Sequence, residues 1–450
     1  MKRELYYFDI FPKVVQTGEK TTVTVEIYEK IYLPKDGFVP KIKIVPMTQT
    51  SSKSVYNSKG VYDTFEVAIK GNIIKFDYTF SKEQEYGVYV YINDDDYVRL
   101  GVYAVDADLY GLIPLKGDFH VHSNFSDGKE SPEAVAAIYR EAGYDFVPLT
   151  DHFNFQSSVS AKEFYKGVDI DINIITGEEI HPPDNSIHSV SFGADYSISD
   201  KYQPDDTKYR EEVDEITKNL DPSIVFDSDE EKYKYASCLW VYEKIKEANG
   251  LAILPHPHWI CDKTYNVRDT TTKLLFKSKA FDAFEIFGGL SAVENNMQFA
   301  FYYTACKDGY GDLPIVGSSD SHGSIYDKFA GSSLPRGSGP EFKFSNIYTI
   351  VFAKSNTTKD IITAVKNKNT VAVESYFEGV PRVHGDYRLV SYALFLLSDY
   401  FPLHAEICKE EGRLMRSFVY GNDESAKTAL KLLSGRTKKM FNKYFLCNAN

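Results

Sequence analysis

Two histidines separated by one residue, His120 and His122, follow the short apolar stretch 110–115 and constrain the fold more than any other feature. On a strand, side chains two positions apart point to the same face, so both imidazoles can reach one metal ion. Asp127 and His152 come next and can add an oxygen and a nitrogen ligand. Histidine and carboxylate groups at strand ends are how barrel enzymes build metal sites. A lone His-x-His pair is weak support, because a partly buried polar strand is commoner, so the rest of the chain must decide.

The remaining histidines strengthen the metal hypothesis. Eight of the ten lie between residues 120 and 322, most of them near predicted strand ends. Any one could be a satisfied core histidine, but burying so many unpaired ionisable groups would cost roughly several kcal/mol per group. Metal ions would supply the missing partners, and imidazole with carboxylate suits Zn, Mn or Fe rather than a structural cysteine-zinc centre. The further candidate residues are Glu178, Glu179, His181, His188, His256, His258, Glu285, Asp320 and His322.

The composition excludes some classes of function. The chain of 450 residues has a net charge of −13 and lacks the basic surface that binding to phosphate backbones requires, so no nucleic-acid partner is expected. Five scattered cysteines without a Cys-x-x-Cys pattern favour reduced thiols and a cytoplasmic location. The N-terminus lacks the apolar core of a signal peptide, and no apolar stretch approaches membrane-spanning length. We expect a cytoplasmic protein with a small-molecule substrate and no membrane partner; its oligomeric state is open.

Hydrophobic periodicity divides the chain into three predicted domains. Short alternating runs between turn sequences predict an all-β, sandwich-like domain at 1–115. Strands alternate with helices over 116–375, and repeated βα units of this number predict a barrel-like α/β domain. Apolar positions at helical spacing predict a helical C-terminal region at 376–450. Two polar stretches, 195–235 and 328–344, are predicted to be surface excursions, the first alternatively a flap over the site.

The motifs over roughly 116–375 resemble a known family. Their order is His-x-His, Ser-Asp-Gly, Thr-Asp-His, Gly-x-Glu, His, His-Pro and Ser-Asp-x-His, which resembles the PHP domain, the polymerase and histidinol phosphatase superfamily. The β domain joined through 116–120 further resembles the carbaryl-hydrolase-like subgroup. The resemblance implies a distorted seven-stranded (β/α) barrel with two or three divalent metals at its C-terminal mouth.

The same resemblance implies which residues bind the metals. The implied sets are His120, His122, Glu179 and Asp320 for the first metal, a bridging Glu179 with His188 and His256 for the second, and Asp127, His152 and His322 for the third. Glu178 could replace Glu179 and His181 could replace His188, although the patterns Gly-x-Glu-Ile and Phe-Gly favour Glu179 and His188. His258 is expected beside the ligands or facing substrate. The residues expected to act in catalysis as well are Asp320, Glu179 and His322.

The residue pattern predicts hydrolysis. A water shared between cations becomes a hydroxide near neutral pH, and no separate serine or cysteine nucleophile is required. The leading hypothesis is a metal-dependent phosphoesterase acting on a small phosphorylated substrate through such a hydroxide. The alternatives are a carbamate or carboxyl ester hydrolase, which the subgroup resemblance suggests, and a noncatalytic binding protein that metals only stabilise.

Three further carboxylates leave two interpretations open. Asp118 and Asp151 neighbour predicted ligands and either orient imidazoles or form ordinary turns and caps. Glu285 stands at the end of a predicted strand, where it either contacts a ligand or substrate or is a partly solvated rim residue.

Overall fold

The computed structural model describes residues 2–35, 37–48, 62–323, 344–375, 381–421 and 423–445. The chain forms two compact units. The first unit comprises residues 1–113, 387–407 and 435–450, and the second comprises residues 114–386 and 408–434. The predicted region 376–450 is therefore divided between the two units, and the three predicted domain boundaries stay a proposal.

The first unit contains two β-sheets. Its strands are β1 (Phe8–Phe11), β2 (Val14–Gln16), β3 (Lys20–Ile27), β4 (Lys41–Pro46), β5 (Asp63–Glu66), β6 (Ile69–Lys70), β7 (Ile73–Thr79), β8 (Gln84–Tyr91) and β9 (Tyr97–Val105). One sheet has the order β1-β3-β7-β6 and the other β2-β9-β8-β4-β5. Alternate apolar residues of both sheets, such as Val23 and Val25 of β3 and Val88 and Val90 of β8, are buried in one common core.

The second unit carries the predicted site and contains three sheets. Its strands are β10 (Ile113–Gly117), β11 (Phe146–Pro148), β12 (Asn173–Ile175), β13 (Gly177–Ile180), β14 (Ser189–Phe192), β15 (Leu251–Leu254), β16 (Ile260–Cys261), β17 (Thr264–Tyr265), β18 (Ala283–Phe287), β19 (Ile315–Gly317), β20 (Ile347–Ala353), β21 (Thr370–Glu374) and β22 (Arg382–His384). The sheet orders are β12-β11-β10-β20-β21-β22, β13-β14-β15-β18-β19 and the small hairpin β16-β17.

Strand directions bring the predicted ligands to one edge of each large sheet. β10, β11 and β12 are parallel, as are β15, β18 and β19. β14 is antiparallel to both of its neighbours, so its amino end lies at the carboxyl ends of β13 and β15. Isolated parallel bridges pair Val121 with Ser321 and His152 with Glu179, and these bridges join the two sheets beside the predicted ligands. The mixed α/β class is confirmed, whereas the strand count and closure of a seven-stranded barrel stay a prediction.

Seven helices accompany these strands in the described residues, and one of them lies where a surface excursion was predicted. They are α1 (Pro132–Glu141), α2 (Gln156–Phe164), α3 (Thr207–Asn219), α4 (Asp229–Glu247), α5 (Asp269–Ser278), α6 (Ala292–Lys307) and α7 (Thr358–Lys366). Helix α3 lies in the stretch predicted to be a surface excursion. It is anchored there because Tyr209 and Val213 are buried, and the Tyr209 ring lies 5.0 Å from the ring of Trp240.

The C-terminal region is helical, as predicted. Its helices are α8 (Tyr387–Asp399), α9 (Phe401–Gly421), α10 (Glu424–Leu433) and α11 (Arg436–Phe445). Helix α11 begins with basic residues, and its aromatic residues Phe441, Tyr444 and Phe445 are buried. None of the helices in the described ranges has both the length and the hydropathy needed to cross a membrane. The loop predicted at 328–344 lies outside the described residues except for Phe344.

Candidate metal centre

The backbone around the predicted ligands is fastened by hydrogen bonds between segments that are distant in sequence. The amide of His122 donates to the carbonyl of Ser321, and the amide of Asp320 donates to the carbonyl of His120, both over 2.9 Å. The amide of Glu179 donates to the carbonyl of Thr150 over 3.0 Å. The segments that carry His120 and Asp320, and those that carry His152 and Glu179, are therefore held by each other's backbone, which fixes where these side chains start.

Glu179 lies at the centre of the histidines. Its Oε2 atom lies 3.1 Å from His120 Nε2, 3.2 Å from His122 Nε2 and 3.0 Å from His152 Nδ1. Its Oε1 atom lies 2.7 Å from His188 Nδ1 and 3.1 Å from His256 Nε2. One buried carboxylate thus contacts five imidazoles, which is the geometry expected of a bridging ligand.

The structure brings all nine predicted ligands together. Three overlapping groups have donor atoms within 4.8 Å of one another: His120, His122, Glu179 and Asp320; His122, Asp127, His152 and His322; and His152, Glu179 and His188. His256 joins them through its contact with Glu179. We call these nine side chains the ligand cluster. Their role as metal ligands stays a prediction.

The two open alternatives are separated by geometry. Glu178 alternates with Glu179 on β13 and faces away from the cluster, where it accepts hydrogen bonds from the amide of Ile198, the amide of Ser199 and the hydroxyl of Ser197. Its buried charge is therefore satisfied by the backbone. His181 lies beside the cluster without joining a donor group, and its ring stacks on that of His188 with centroids 4.6 Å apart.

Glu285 contacts a predicted ligand from outside the cluster. It is fully buried on β18, and its Oε2 atom lies 3.1 Å from Nδ1 of His120. A proton on Nδ1 then points to Glu285, so the lone pair of Nε2 points into the cluster, as a metal ligand requires. The sequence shows a carboxylate inside the apolar stretch 283–287, but it does not show which group that carboxylate contacts.

The carboxylates of Asp118 and Asp151 accept hydrogen bonds from backbone amides and hydroxyl groups rather than from imidazoles. Asp118 accepts hydrogen bonds from the amides of Phe119, His120 and Ser319. Asp151 accepts from the amide and hydroxyl groups of both Ser123 and Ser126. These two carboxylates shape the turns that carry the ligands.

His258, expected beside the ligands, lies outside the three donor groups. Its Nε2 atom lies 3.3 Å from Asp269, and its ring packs against Tyr265 and Phe301. Its neighbour Trp259 lies closer to the cluster, with ring centroids 5.8 Å from His256 and 5.9 Å from His188.

The charges in the cluster perturb one another strongly. Burial disfavours a charged His120, but the nearby Asp320 and Glu179 outweigh burial and raise its pKa well above the ordinary value. Burial alone would lower the pKa of His322, but its contacts with Asp127 and Asp320 outweigh burial and raise the pKa to about 9. Burial would raise the pKa of Asp320, yet the surrounding imidazoles lower it. Cations in the cluster would replace these protons as the partners of the carboxylates.

The donor atoms fit divalent metals. Oδ1 of Asp320 and Nδ1 of His152 are buried atoms that lie 3.0 to 3.1 Å from other members of the cluster without the geometry of a hydrogen bond to any described residue. In the first group, His120 Nε2, His122 Nε2 and Asp320 Oδ1 are separated by 3.1 to 3.3 Å. Ligands about 2.0 Å from a shared tetrahedral centre would be separated by about 3.3 Å. Imidazole and carboxylate together suit Zn, Mn or Fe.

One side of the cluster faces solvent. The side chain of Asp127 is 57% exposed, whereas that of Glu179 is 1% exposed. His152, His322 and Asp320 have intermediate exposure. A substrate can therefore reach the cluster from the side of Asp127, while Glu179 and Glu285 close the opposite side.

This arrangement defines a candidate polynuclear metal centre on an α/β domain. The family model named PHP domain matches residues 118–256. This segment of the chain is therefore similar to the PHP domain family. Glu285, Asp320 and His322 lie beyond the matched residues.

Known relatives are distant. An uncharacterised protein from Methanocaldococcus jannaschii is 25% identical over 155 residues, which cover 32% of this chain and 68% of the relative. A two-domain protein from Bacteroides vulgatus with a predicted PHP-like metal-dependent phosphoesterase is 21% identical, with a TM-score of 0.38, over 58% of this chain and 65% of that one. Endonuclease Q bound to a 27-mer duplex with an abasic lesion is 14% identical, with a TM-score of 0.31, over 57% of each chain. The likenesses are too low to decide the substrate.

Proposed function

We propose that this protein is a metal-dependent hydrolase that cleaves a phosphoester of a small molecule. The observation that carries this proposal is the position of Glu179, whose two oxygens face different sets of histidines. Such a shared carboxylate lets two cations lie close together, and paired cations suit the charged oxygens of a phosphoester. The PHP domain at 118–256 supports the same class of chemistry.

The contacts within the ligand cluster support a proposal of three ligand sets. We propose His120, His122, Glu179 and Asp320 for one cation, Glu179, His188 and His256 for a second, and Asp127, His152 and His322 for a third. Bound Mn, Zn or Fe would acidify a water and stabilise the negative charge that develops on the substrate. Asp320, Glu179 and His322 are the proposed catalytic residues because they lie where these sets meet or face the open side.

The residues around the open side suit an anionic substrate of limited size. The side chain of Lys129 lies against Gly323, directly after His322, and places a cationic group beside the proposed third set. Metal-bound imidazoles are neutral, and the three carboxylates of the cluster carry less charge than three divalent cations, so a site with three bound cations would be net positive. The strongly acidic chain as a whole disfavours a nucleic acid, and we propose a small molecule and a cytoplasmic location.

A metal-by-substrate panel tests the proposal. Purified protein is stripped with a chelator, reloaded with Mn, Zn or Fe(II), and assayed with phosphomonoesters, phosphodiesters, carboxyl esters, carbamates and single- and double-stranded DNA. We expect phosphate release with at least one metal and a loss of at least about hundredfold in Asp320→Asn. The matched control is Asp221→Asn, an exposed aspartate that accepts a hydrogen bond from Ser223 and should leave turnover unchanged.

Other results would favour the alternatives. Turnover of carboxyl esters or carbamates without phosphate release would establish the second hydrolase class. Cleavage of DNA in preference to small phosphoesters would assign a nucleic-acid substrate. Bound metal with no turnover of any substrate would leave a noncatalytic, metal-stabilised binding protein.

A further inference from the structure

A shallow cavity of about 550 Å³, open to solvent over much of its surface, lies next to the ligand cluster in the second unit. Its walls include Phe153, His181, Tyr202 and three prolines, and its rim includes Asp205 and Asp206. The volume falls in the range of pockets that hold small organic molecules, about 300 to 1,000 Å³. The walls are mainly aromatic rings and proline faces, which suit a flat apolar group better than a sugar or a flexible chain.

His181 connects this cavity to the cluster. Its ring is nearly parallel to that of His188, with centroids 4.6 Å apart, and lies 5.2 Å from the ring of His152. The other neighbour of its ring is Phe153, with centroids 3.8 Å apart. A group bonded to a phosphate at the cluster would therefore reach the cavity without a long linker.

The backbone of Phe153 is strained in a way that fixes its ring. Its φ angle is +53°, a left-handed conformation that costs a bulky residue about 1 to 2 kcal/mol. The amide of Phe153 donates to the carbonyl of Glu179 over 3.0 Å, and the side-chain amide of Gln203 donates to the carbonyl of Phe153 over 3.2 Å. These bonds hold the strained residue directly after the proposed ligand His152, with its ring against His181.

The rim of the cavity is acidic. Asp206 is paired with Arg210 over 2.8 Å, but Asp205 has no cationic partner among the described residues and accepts hydrogen bonds from Thr207 only. A second phosphate or a carboxylate on the ligand would meet this negative charge, whereas an amino or hydroxyl group could donate to it.

We propose that this cavity binds the alcohol part of the phosphoester substrate and that this part is a flat aromatic ring system without a second anionic group. The assignment rests on the proposed phosphoesterase function for the position of the phosphate. His181 is then a specificity residue: together with Phe153 it forms the wall against which the aromatic group packs, and it takes no part in the reaction. Removing a stacking ring costs about 1 to 3 kcal/mol, which corresponds to about 5- to 150-fold.

The test compares an aryl with an alkyl ester in the same variants, so that differences in leaving-group reactivity cancel. In metal-loaded full-length protein, we expect His181→Ala to lower kcat/KM for 1-naphthyl phosphate by about 5- to 150-fold, mainly through KM, and to change glycerol 2-phosphate by less than about threefold. His181→Phe keeps a flat ring and should retain the naphthyl preference. His384→Ala, which removes a histidine packed against Phe287 and Phe299 outside the cavity, should change neither.

Two further measurements make the outcome decisive. Calorimetric binding of phenylphosphonate should be tighter than that of methylphosphonate in the wild type, and His181→Ala should remove the difference. Elemental analysis should find the same metal content in His181→Ala, since loss of metal would make His181 a ligand and overturn the proposal. Equal losses on both esters, or no aryl preference in the wild type, would overturn it as well. If no phosphoester is turned over but phenylphosphonate still binds through His181, the proposed function fails and the cavity assignment stands.

Discussion

Glu285 offers the sharpest test of how the cluster is built. It is fully buried, and its Oε2 atom lies 3.1 Å from Nδ1 of His120. If its negative charge holds the ring of His120 with Nε2 facing the cluster, Glu285→Gln should weaken metal binding while leaving the ligand set complete. Glutamine has nearly the same shape, so the substitution removes charge and little else.

The expected size of the effect follows from the contact. A hydrogen bond to a charged group contributes about 1.5 to 3 kcal/mol, against about 1 kcal/mol for a neutral one. The loss of about 0.5 to 2 kcal/mol corresponds to about 2- to 30-fold in affinity, with about tenfold in the middle. Glu285→Leu removes the hydrogen bond altogether and should approach the hundredfold seen when outer partners of metal ligands are removed.

Titration of chelator-stripped protein with Zn or Mn, followed by calorimetry, measures this affinity directly. The matched control is Glu294→Gln. Glu294 is also fully buried, but its carboxylate accepts hydrogen bonds from the backbone amides of Ser291 and Ile260. Affinity should change less than about threefold in this control. Equal affinities for wild type and Glu285→Gln, or equal losses in both variants, would refute the orienting role.

Three further predictions address other parts of the second unit. Glu179→Gln should lose at least one bound metal by elemental analysis, whereas Glu178→Gln should keep its metals and lower Tm, because its carboxylate is satisfied by backbone amides. Burial lowers the pKa of His384 from 6.5 to about 4, so the unfolded chain binds the proton more readily between these values and stability falls as pH falls through this window. In His384→Phe, the loss of unfolding free energy between about pH 7 and about pH 5, measured by denaturant titration, should be smaller by about 1 kcal/mol. The effect is modest because the ring is partly exposed and solvent screens its charge. Gly117→Ala would place a Cβ atom 1.9 Å from the ring of Phe146 and should lower unfolding free energy by about 1 to 3 kcal/mol, measured by circular dichroism. Unchanged metal content, pH dependence or stability, respectively, would contradict these three expectations.

Local patterns predicted much of the fold and the candidate ligands, because strands and their polar ends are encoded over a few residues. The apolar run at 251–254 is the strand Leu251–Leu254, and the motifs that follow strands do converge. Helix α3 was not predicted because only two of its thirteen residues, Tyr209 and Val213, are buried. Its anchor, Trp240, lies on another helix. The role of Glu285 depends on a contact across 165 positions, so no local pattern could distinguish it from a rim residue.

The cluster concentrates its backbone strain where ligands must leave a strand at a fixed angle. Asp320 and His256 adopt positive φ angles of +48° and +25°, conformations in which a glycine would be less strained. A glycine would supply no ligand atom, so the strain, about 1 to 3 kcal/mol at each position, has to be offset elsewhere. At Asp320 the strain is offset by the hydrogen bond that its backbone amide donates to the carbonyl of His120. Asp118 contributes as well, because it accepts a hydrogen bond from the amide of the preceding Ser319. The carboxylates outside the ligand cluster thus have two different roles. Asp118 and Asp151 accept hydrogen bonds from strained or tightly turned backbone, and Glu285 orients an imidazole.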